Sequence, residues 1–167
     1  MTPPTGCVAF LFTDVEGSTR RWERYGEGMR IALRRHDEIL RNECASRDGY
    51  IFKTIGDAFC AAFPTAGDAL EASVAAQRAF AREDFSAVDC LHVRMAIGAG
   101  EADERDGDYF GSVVNRTARL LAAGHGGQIL LSGEAADLAL PHLPPGVTLR
   151  HLGSLALRDI KEPERVY

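Results

Sequence analysis

The stretch that decides the fold is Phe12-Thr13-Asp14-Val15-Glu16-Gly17-Ser18-Thr19, where an apolar run reaches a carboxylate and then becomes a Gly-Ser-Thr segment. The apolar and aromatic character of residues 7–12 predicts a strand, with Asp14 emerging at its end. Ser18 or Thr19 is predicted to cap a following helix, whose uncovered first amides suit an anion. The stretch therefore predicts a metal-phosphate site, and a plain strand-to-helix turn with capping side chains is the alternative.

Composition restricts the class of protein. With 167 residues, 46% of them hydrophobic, the chain is expected to form one domain over residues 1–167. The net charge of −5 and the scattered Lys and Arg residues argue against a nucleic-acid partner. No apolar run approaches the roughly 20 residues of a membrane span, and the amino terminus lacks a charged-then-apolar leader. We therefore expect a cytoplasmic domain without membrane contact.

Two further expectations concern the cysteines and the chain end. The four cysteines are far apart and lack metal-binding spacing, so we expect buried free thiols in a reducing compartment. The chain ends at Tyr167 within a strand-like stretch, which favours a piece of a longer protein.

Hydrophobic periodicity predicts an α+β chain. The expected elements, in order, are a strand (7–12), one long helix or two with a break at Gly26 or Gly28, a hairpin (50–55 and 58–63) turning at Gly56-Asp57, a helix (65–82), a strand (91–100), a solvated acidic loop (101–108), a helix (112–121), a strand (127–131), a short helix from Ser132 and a strand-like tail (147–157). This order predicts a sheet with helices on one face. His36 lies on an apolar helical stripe and is expected in the core or an interface.

Two carboxylates are predicted at the edges of strands. Asp14 follows the first strand and Asp57 lies at the hairpin tip, so they face each other if those strands are neighbours. Paired carboxylates repel unless a cation lies between them, and Mg²⁺ takes one or two carboxylates plus substrate phosphates. This pair predicts phosphoryl or nucleotidyl chemistry. Lys53 precedes Asp57 by four residues in the same hairpin.

An amide and a guanidinium lie one helical turn apart in the third helical segment. Asn115 and Arg119 flank its apolar row at positions i and i+4. Together they suit a ribose and a phosphate, since the forked guanidinium donates to phosphate oxygens. A solvent-facing polar row is the alternative.

Three blocks of this sequence resemble the signature blocks of the class III nucleotidyl cyclase catalytic domain, in its bacterial, actinobacterial-type adenylate cyclase form. The blocks are Phe12–Thr19, Lys53–Asp57 and Asp108–Arg119, and they occur in the family's order at compatible separations. The resemblance covers nearly the whole chain. It implies a ferredoxin-like, palm-type sheet, rich in antiparallel strands, with helices packed on it.

The resemblance also implies roles for individual residues. Asp14 and Asp57, with the Val15 carbonyl, match the ligands of two divalent cations, Mg²⁺ or Mn²⁺. Lys53 and Asp108 match the pair that reads the purine: an ammonium donates to adenine N1 and a carboxylate accepts from the N6 amino group. Guanine presents the reverse pattern, so adenine is expected. The amides expected to hold the β- and γ-phosphates are those of Gly17, Ser18 and Thr19.

The remaining matches concern the ribose and the phosphates. Asn115 matches the residue that orients the ribose, and Arg119 the one that stabilises charge at the α-phosphate. Lys161 is similar in position to the family's triphosphate-binding lysine. The flanking residues 157–160 depart from the family pattern, so Arg158 remains an alternative.

The function implied by the resemblance is adenylate cyclase activity, which converts ATP to 3′,5′-cyclic AMP and pyrophosphate by two-metal-ion catalysis. In this family the site forms across a head-to-tail dimer, so a homodimer with two equivalent sites is expected. Three alternatives are a regulatory nucleotide-binding module, a diguanylate-cyclase or polymerase palm, and an interaction domain. The palm predicts a Gly-Gly-acid-acid-Phe turn, whereas this hairpin has Ile55-Gly56-Asp57-Ala58.

Overall fold

The structure, a computed structural model, describes residues 2–167. Its strands are β1 (Cys7–Val15), β2 (Tyr50–Ile55), β3 (Ala58–Phe63), β4 (Val93–Glu101), β5 (Asp103–Arg105), β6 (Asp108–Phe110), β7 (Ile129–Leu131), β8 (Gly153–Leu155) and β9 (Glu164–Val166). Its α-helices are α1 (Ser18–Tyr25), α2 (Glu27–Ala45), α3 (Ala66–Phe80), α4 (Ser112–Ala123) and α5 (Gly133–Ala139). The chain thus mixes helices and strands, as predicted.

A five-stranded sheet in the order β2-β3-β1-β4-β7 forms the centre of the molecule. Its pairings are antiparallel except for β4 with β7. The register sets Thr13 opposite Phe59 and Asp14 opposite Arg94. Two small antiparallel pairs, β5-β6 and β8-β9, lie outside this sheet. The central position of β1 therefore brings the end of that strand between the β2-β3 hairpin and β4.

One face of the sheet packs against α2, α3 and α5. Ala9, Leu11 and Val15 of β1 point into this larger core, as strand alternation requires. His36 of α2 is fully buried there, with its ring stacked on Phe80 at a centroid distance of 5.3 Å. The prediction of a core histidine is confirmed.

The other face is covered as well, so the prediction of helices on one face only is wrong. Phe10 of β1 lies in a second cluster with Tyr109 of β6 and Val113 of α4. Its ring meets that of Tyr109 edge-on at 5.1 Å. Side chains on both faces of β1 are buried, because its sequence is apolar throughout. The apolar row of α4 packs against β4 and β1.

Turn residues explain which predicted element boundaries agree with the structure. The hairpin 50–63 has the predicted bounds, and the long helix breaks at Gly26, where φ is +43°. Between β4 and α4, residues 101–108 are not simply a loop: β5 pairs with β6 around Asp106-Gly107, both with positive φ. The strand-like tail 147–157 is reduced to the three residues of β8.

The cysteines differ in burial from the prediction that all would be buried. Cys44 is buried and Cys60 is partly buried, whereas Cys7 and Cys90 are exposed. Cys7 is the first residue of β1, and Cys90 lies in the connection before β4 with a positive φ. At both positions the side chain is exposed although an apolar residue follows it directly. No helix within residues 2–167 combines the length and the apolar character needed to cross a bilayer.

Candidate active site

Two carboxylates meet where β1 ends. Asp14 is the penultimate residue of β1, and Asp57 lies at the tip of the β2-β3 hairpin. The Val15 amide donates a hydrogen bond to Asp57 Oδ2 at 2.9 Å, which fastens the hairpin tip to the end of β1. The side chains of Asp14 and Asp57 are close enough for each charge to act on the other. The juxtaposition expected from the sequence is therefore present.

Arg94 is a third member of this group that the sequence did not reveal. It lies directly opposite Asp14 on β4, and its Nε donates to Asp14 Oδ2 at 2.9 Å. Both side chains are about three-quarters buried. The only signal for Arg94 is the strand register, because nothing in its local sequence distinguishes it from other arginines of the chain.

Burial and neighbouring charges act in opposite directions on Asp14. Burial raises its pKa, the hydrogen bond and charge of Arg94 lower it, and the nearby Asp57 raises it again, for a net upward shift. The carboxylate pair is thus incompletely compensated by Arg94 alone.

The donor set at this site fits a divalent cation bound together with a substrate. Within residues 2–167, no group of three or more His, Cys, Asp or Glu side chains is arranged to hold a metal by itself. Asp14 and Asp57 supply two carboxylates, and the Val15 carbonyl supplies a neutral oxygen beside them. Mg²⁺ accepts such a partial set, since it usually takes one or two carboxylates and completes its octahedron with phosphates and water.

The turn after β1 leaves backbone amides uncovered. Gly17 has φ +69°, the left-handed region that favours glycine, and α1 begins at the next residue. Neither Ser18 nor Thr19 caps this helix, because Ser18 is already its first residue and no side chain bonds to its first amides. The predicted cap is wrong, whereas the predicted open amides are found.

A second group consists of Lys53 and Asp108. Lys53 of β2 and Asp108 at the start of β6 form an ion pair, although 55 positions separate them in the chain. The hydrogen bond from Lys53 lowers the pKa of Asp108, and a further bond from the Tyr109 amide at 2.8 Å acts in the same direction. Both side chains remain accessible, with 42% and 27% of their surface exposed. The pair can therefore meet a ligand from solvent.

The third group lies on the outer side of α4. Asn115 is exposed, and Arg119 one turn later donates to Asp159 at 3.0 Å. A cleft of about 370 Å³ lies between α4 and residues 159–162, with Asn115 and Lys161 in its lining. Arg158 lies outside this lining and is 85% exposed. Of the two candidate cations in this segment, the structure places Lys161 beside Asn115.

These three groups lie on different elements: the end of β1 with the hairpin tip, β2 with β6, and α4. Within residues 2–167, no hydrogen bond or ion pair joins the Asp14-Asp57 pair to the Lys53-Asp108 pair or to the cleft on α4. Each group has polar side chains open to solvent. The residues predicted for the site thus fall into three groups that no direct polar contact joins within residues 2–167.

Sequence comparisons give the chain its relatives. The Adenylate and Guanylate cyclase catalytic domain family matches residues 1–167. An uncharacterized protein of Mycobacterium tuberculosis is 36% identical over 166 residues, which is 98% of this chain. The adenylate cyclase of Podospora anserina is 37% identical over an alignment of 156 positions, which covers 78% of this chain. The chain spans only 56% of the mycobacterial protein and 7% of the fungal one.

Solved structures confirm the fold. An adenylate cyclase of Trypanosoma brucei, solved in its monomeric state, has a TM-score of 0.87 at 26% identity, over 100% of this chain and 90% of that one. An adenylate/guanylate cyclase/hydrolase of Silicibacter pomeroyi has a TM-score of 0.86 at 28% identity, over 96% and 94%. Since the family match also extends over every residue, the chain belongs to the adenylate and guanylate cyclase catalytic domain family.

Proposed function

We propose that residues 1–167 form one catalytic domain, an adenylate cyclase that converts ATP to 3′,5′-cyclic AMP and pyrophosphate. The observation that carries the choice of ATP is the Lys53-Asp108 pair. Adenine offers an acceptor at N1 and a donor at N6, which complement an ammonium and a carboxylate. Guanine offers a donor at N1 and an acceptor at O6. In the same pose, these would set a donor against the Lys53 ammonium and an acceptor against the Asp108 carboxylate. Because ATP is an intracellular substrate, we place this activity in the cytoplasm.

In this proposal the end of β1 holds the reacting phosphates. Asp14 and Asp57, with the Val15 carbonyl, bind two divalent cations, Mg²⁺ or Mn²⁺. When bound, such cations lower the pKa of the ribose 3′-hydroxyl and neutralise charge on the triphosphate. Arg94 lies against Asp14 and is placed to donate to phosphate oxygens of a nucleotide bound there.

The other groups bind the rest of the nucleotide. Asn115 orients the ribose so that its 3′-oxygen is in line with the α-phosphorus, and Arg119 donates to the charge that develops on the α-phosphate. Lys161, in the cleft beside Asn115, binds the triphosphate. The amides proposed to hold the β- and γ-phosphates belong to Gly17, Ser18 and Thr19.

The lack of direct polar contacts between the three groups, within residues 2–167, supports a shared site. We propose a head-to-tail homodimer in which one chain supplies Asp14 and Asp57, and the partner supplies the Lys53-Asp108 pair, Asn115 and Arg119. Such a dimer has two equivalent sites by symmetry. Asp159, which holds Arg119 in the single chain, releases it to the phosphate on assembly.

The decisive experiment incubates the purified protein with ATP, and separately with GTP, in the presence of Mn²⁺ or Mg²⁺, and separates the products by chromatography. Cyclic AMP without cyclic GMP is expected, and Asp14→Ala is the inactive control. Cyclic GMP as the main product contradicts the assigned base preference. No cyclic product from a demonstrable dimer overturns the proposed function.

A further inference from the structure

Arg21 of α1 has an arrangement of contacts that base and metal binding leave unexplained. Its guanidinium donates to three backbone carbonyls: Nη1 to Glu16 at 2.7 Å, Nε to Cys90 at 3.0 Å and Nη2 to Asp89 at 3.4 Å. Within residues 2–167, Arg21 has no carboxylate partner. The side chain therefore connects the turn after β1 to the segment before β4 through backbone contacts alone. We call this set of three hydrogen bonds the Arg21 clamp.

The segment that Arg21 grips is strained. Asp89 and Cys90 are consecutive residues in the left-handed region, with φ of 58° and 60°, although neither is glycine. Such conformations persist where surrounding contacts hold them. Two of those contacts are the hydrogen bonds that Arg21 donates to the carbonyls of these residues. Arg21 thus helps to fix the turn that leads into β4.

Arg21 also sets the direction of one amide in the proposed phosphate loop. The Glu16 carbonyl and the Gly17 N–H belong to the same trans peptide, so they point in opposite directions. With the carbonyl held on Arg21, the Gly17 N–H faces away from the guanidinium. The preceding amides are held by other partners, Val15 by Asp57 and Glu16 by the His92 carbonyl, each at 2.9 Å. Among the hydrogen bonds within residues 2–167, the contact from Arg21 is the one that fixes the peptide containing the Gly17 amide.

We propose that Arg21 is a positioning residue, which orients the Gly17 amide toward the triphosphate without touching the nucleotide. The inference rests on the proposed function, since it assigns a role to one side chain behind the phosphate loop. It requires the forked geometry of Arg21 rather than its charge, because three carbonyls in different directions need a planar set of donors.

Arg20 offers a matched control. It is the neighbouring residue, carries the same charge and has a guanidinium nitrogen 3.3 Å from where a Gly17 Cβ would lie. Yet its side chain makes no hydrogen bond or ion pair within residues 2–167. Arg20→Ala therefore removes a positive charge near the loop and leaves the clamp intact, whereas Arg21→Lys keeps the charge and removes the fork.

The test measures binding of Mg²⁺-tripolyphosphate by calorimetry, together with amide hydrogen exchange of residues 15–19 in the protein alone. We expect Arg21→Ala and Arg21→Lys to weaken binding by roughly tenfold, equivalent to one lost hydrogen bond, and to speed exchange in the loop. Arg20→Ala should leave exchange unchanged and should weaken binding clearly less than the Arg21 variants, since it removes only a nearby charge. Circular dichroism confirms that each variant is folded. With ATP as substrate, the Arg21 variants should raise KM more than they lower kcat.

The outcomes separate this inference from the proposed function. Wild-type binding by the Arg21 variants, or an equal loss in Arg20→Ala, overturns the positioning role. If the wild-type protein neither binds tripolyphosphate nor forms cyclic AMP, the proposed function fails. The exchange measurement needs no nucleotide, so it still tests whether Arg21 holds residues 15–19 in place. Unchanged exchange in Arg21→Ala would show that it does not.

Discussion

Among single residues, Lys53 and Asp108 combine a preformed pair with accessibility. Lys53 and Asp108 satisfy each other's charge, so a base that replaces this contact must supply both an acceptor and a donor. An accessible ion pair of this kind contributes little to stability, about 0–1 kcal/mol. Its importance is therefore expected in substrate choice and not in folding.

The contact between Asp108 and the adenine amino group is testable by removing either partner. Purine riboside triphosphate lacks the N6 amino group of ATP. We expect wild type to use it with a kcat/KM roughly 10- to 100-fold lower than for ATP, as befits a lost hydrogen bond to a charged group. Asp108→Ala should be equally poor with both substrates. If the variant still prefers ATP by the wild-type ratio, Asp108 does not read this group.

At the scale of elements, the spacing of α4 over the sheet depends on Gly98. A Cβ at this position of β4 would overlap Thr117 Oγ1 and lie 3.3 Å from Thr117 Cβ. The hydroxyl cannot turn aside without cost, since it donates to the Val113 carbonyl at 2.8 Å. The close approach of α4 to β4 also fixes the position of Asn115 and Arg119 on the outer side of that helix.

We expect Gly98→Ala to lower the free energy of unfolding by about 1–3 kcal/mol, the usual cost of overpacking. Urea denaturation followed by circular dichroism measures the change. The double variant Gly98→Ala/Thr117→Ala should recover part of the loss, because it removes the overlapping hydroxyl. Equal stability of Gly98→Ala and wild type would show that α4 shifts freely on the sheet.

Sequence patterns predicted those elements whose signals are local. The β2-β3 hairpin was located to the residue because Gly56-Asp57 separates two apolar runs. The prediction of a solvated loop at residues 101–108 is wrong because a run of acidic residues is typical of loops. Gly107 is the main sequence signal for the short β5-β6 pairing. The covering of both sheet faces also escaped, since a fully apolar β1 is equally compatible with burial on one side or two.

The same distinction applies to the candidate site. Asp14, Asp57, Lys53 and Asp108 are predictable as candidates because each belongs to a recognisable block of sequence. Arg94 was missed because its place opposite Asp14 follows from the β1-β4 register, which periodicity does not supply. Arg21 was missed because its partners are backbone carbonyls, and these leave no trace in residue types.

At the scale of the whole molecule, the proposed shared site predicts complementation. Asp14→Ala and Arg119→Ala should each be inactive as homodimers, because every site lacks one half. When the two variants are mixed, a dimer with one chain of each has one site with all its residues. Cyclase activity should therefore return. No recovery in a verified mixed dimer would mean that both halves come from the same chain.

In the proposed dimer, the placement of Asp14 on β1 and Arg119 on α4 has a consequence for mixed populations of chains. A chain with only Asp14 altered still lends its Arg119 to a normal partner, so it leaves one working site in each mixed dimer. A chain with both residues altered inactivates both sites of a dimer with a normal chain, because each site then lacks either Asp14 or Arg119. Mixed equally with normal chains, it would suppress their activity to about half by random pairing alone. We therefore expect the doubly altered chain to act as a dominant inhibitor in an assay of mixed chains, and either single substitution to be recessive.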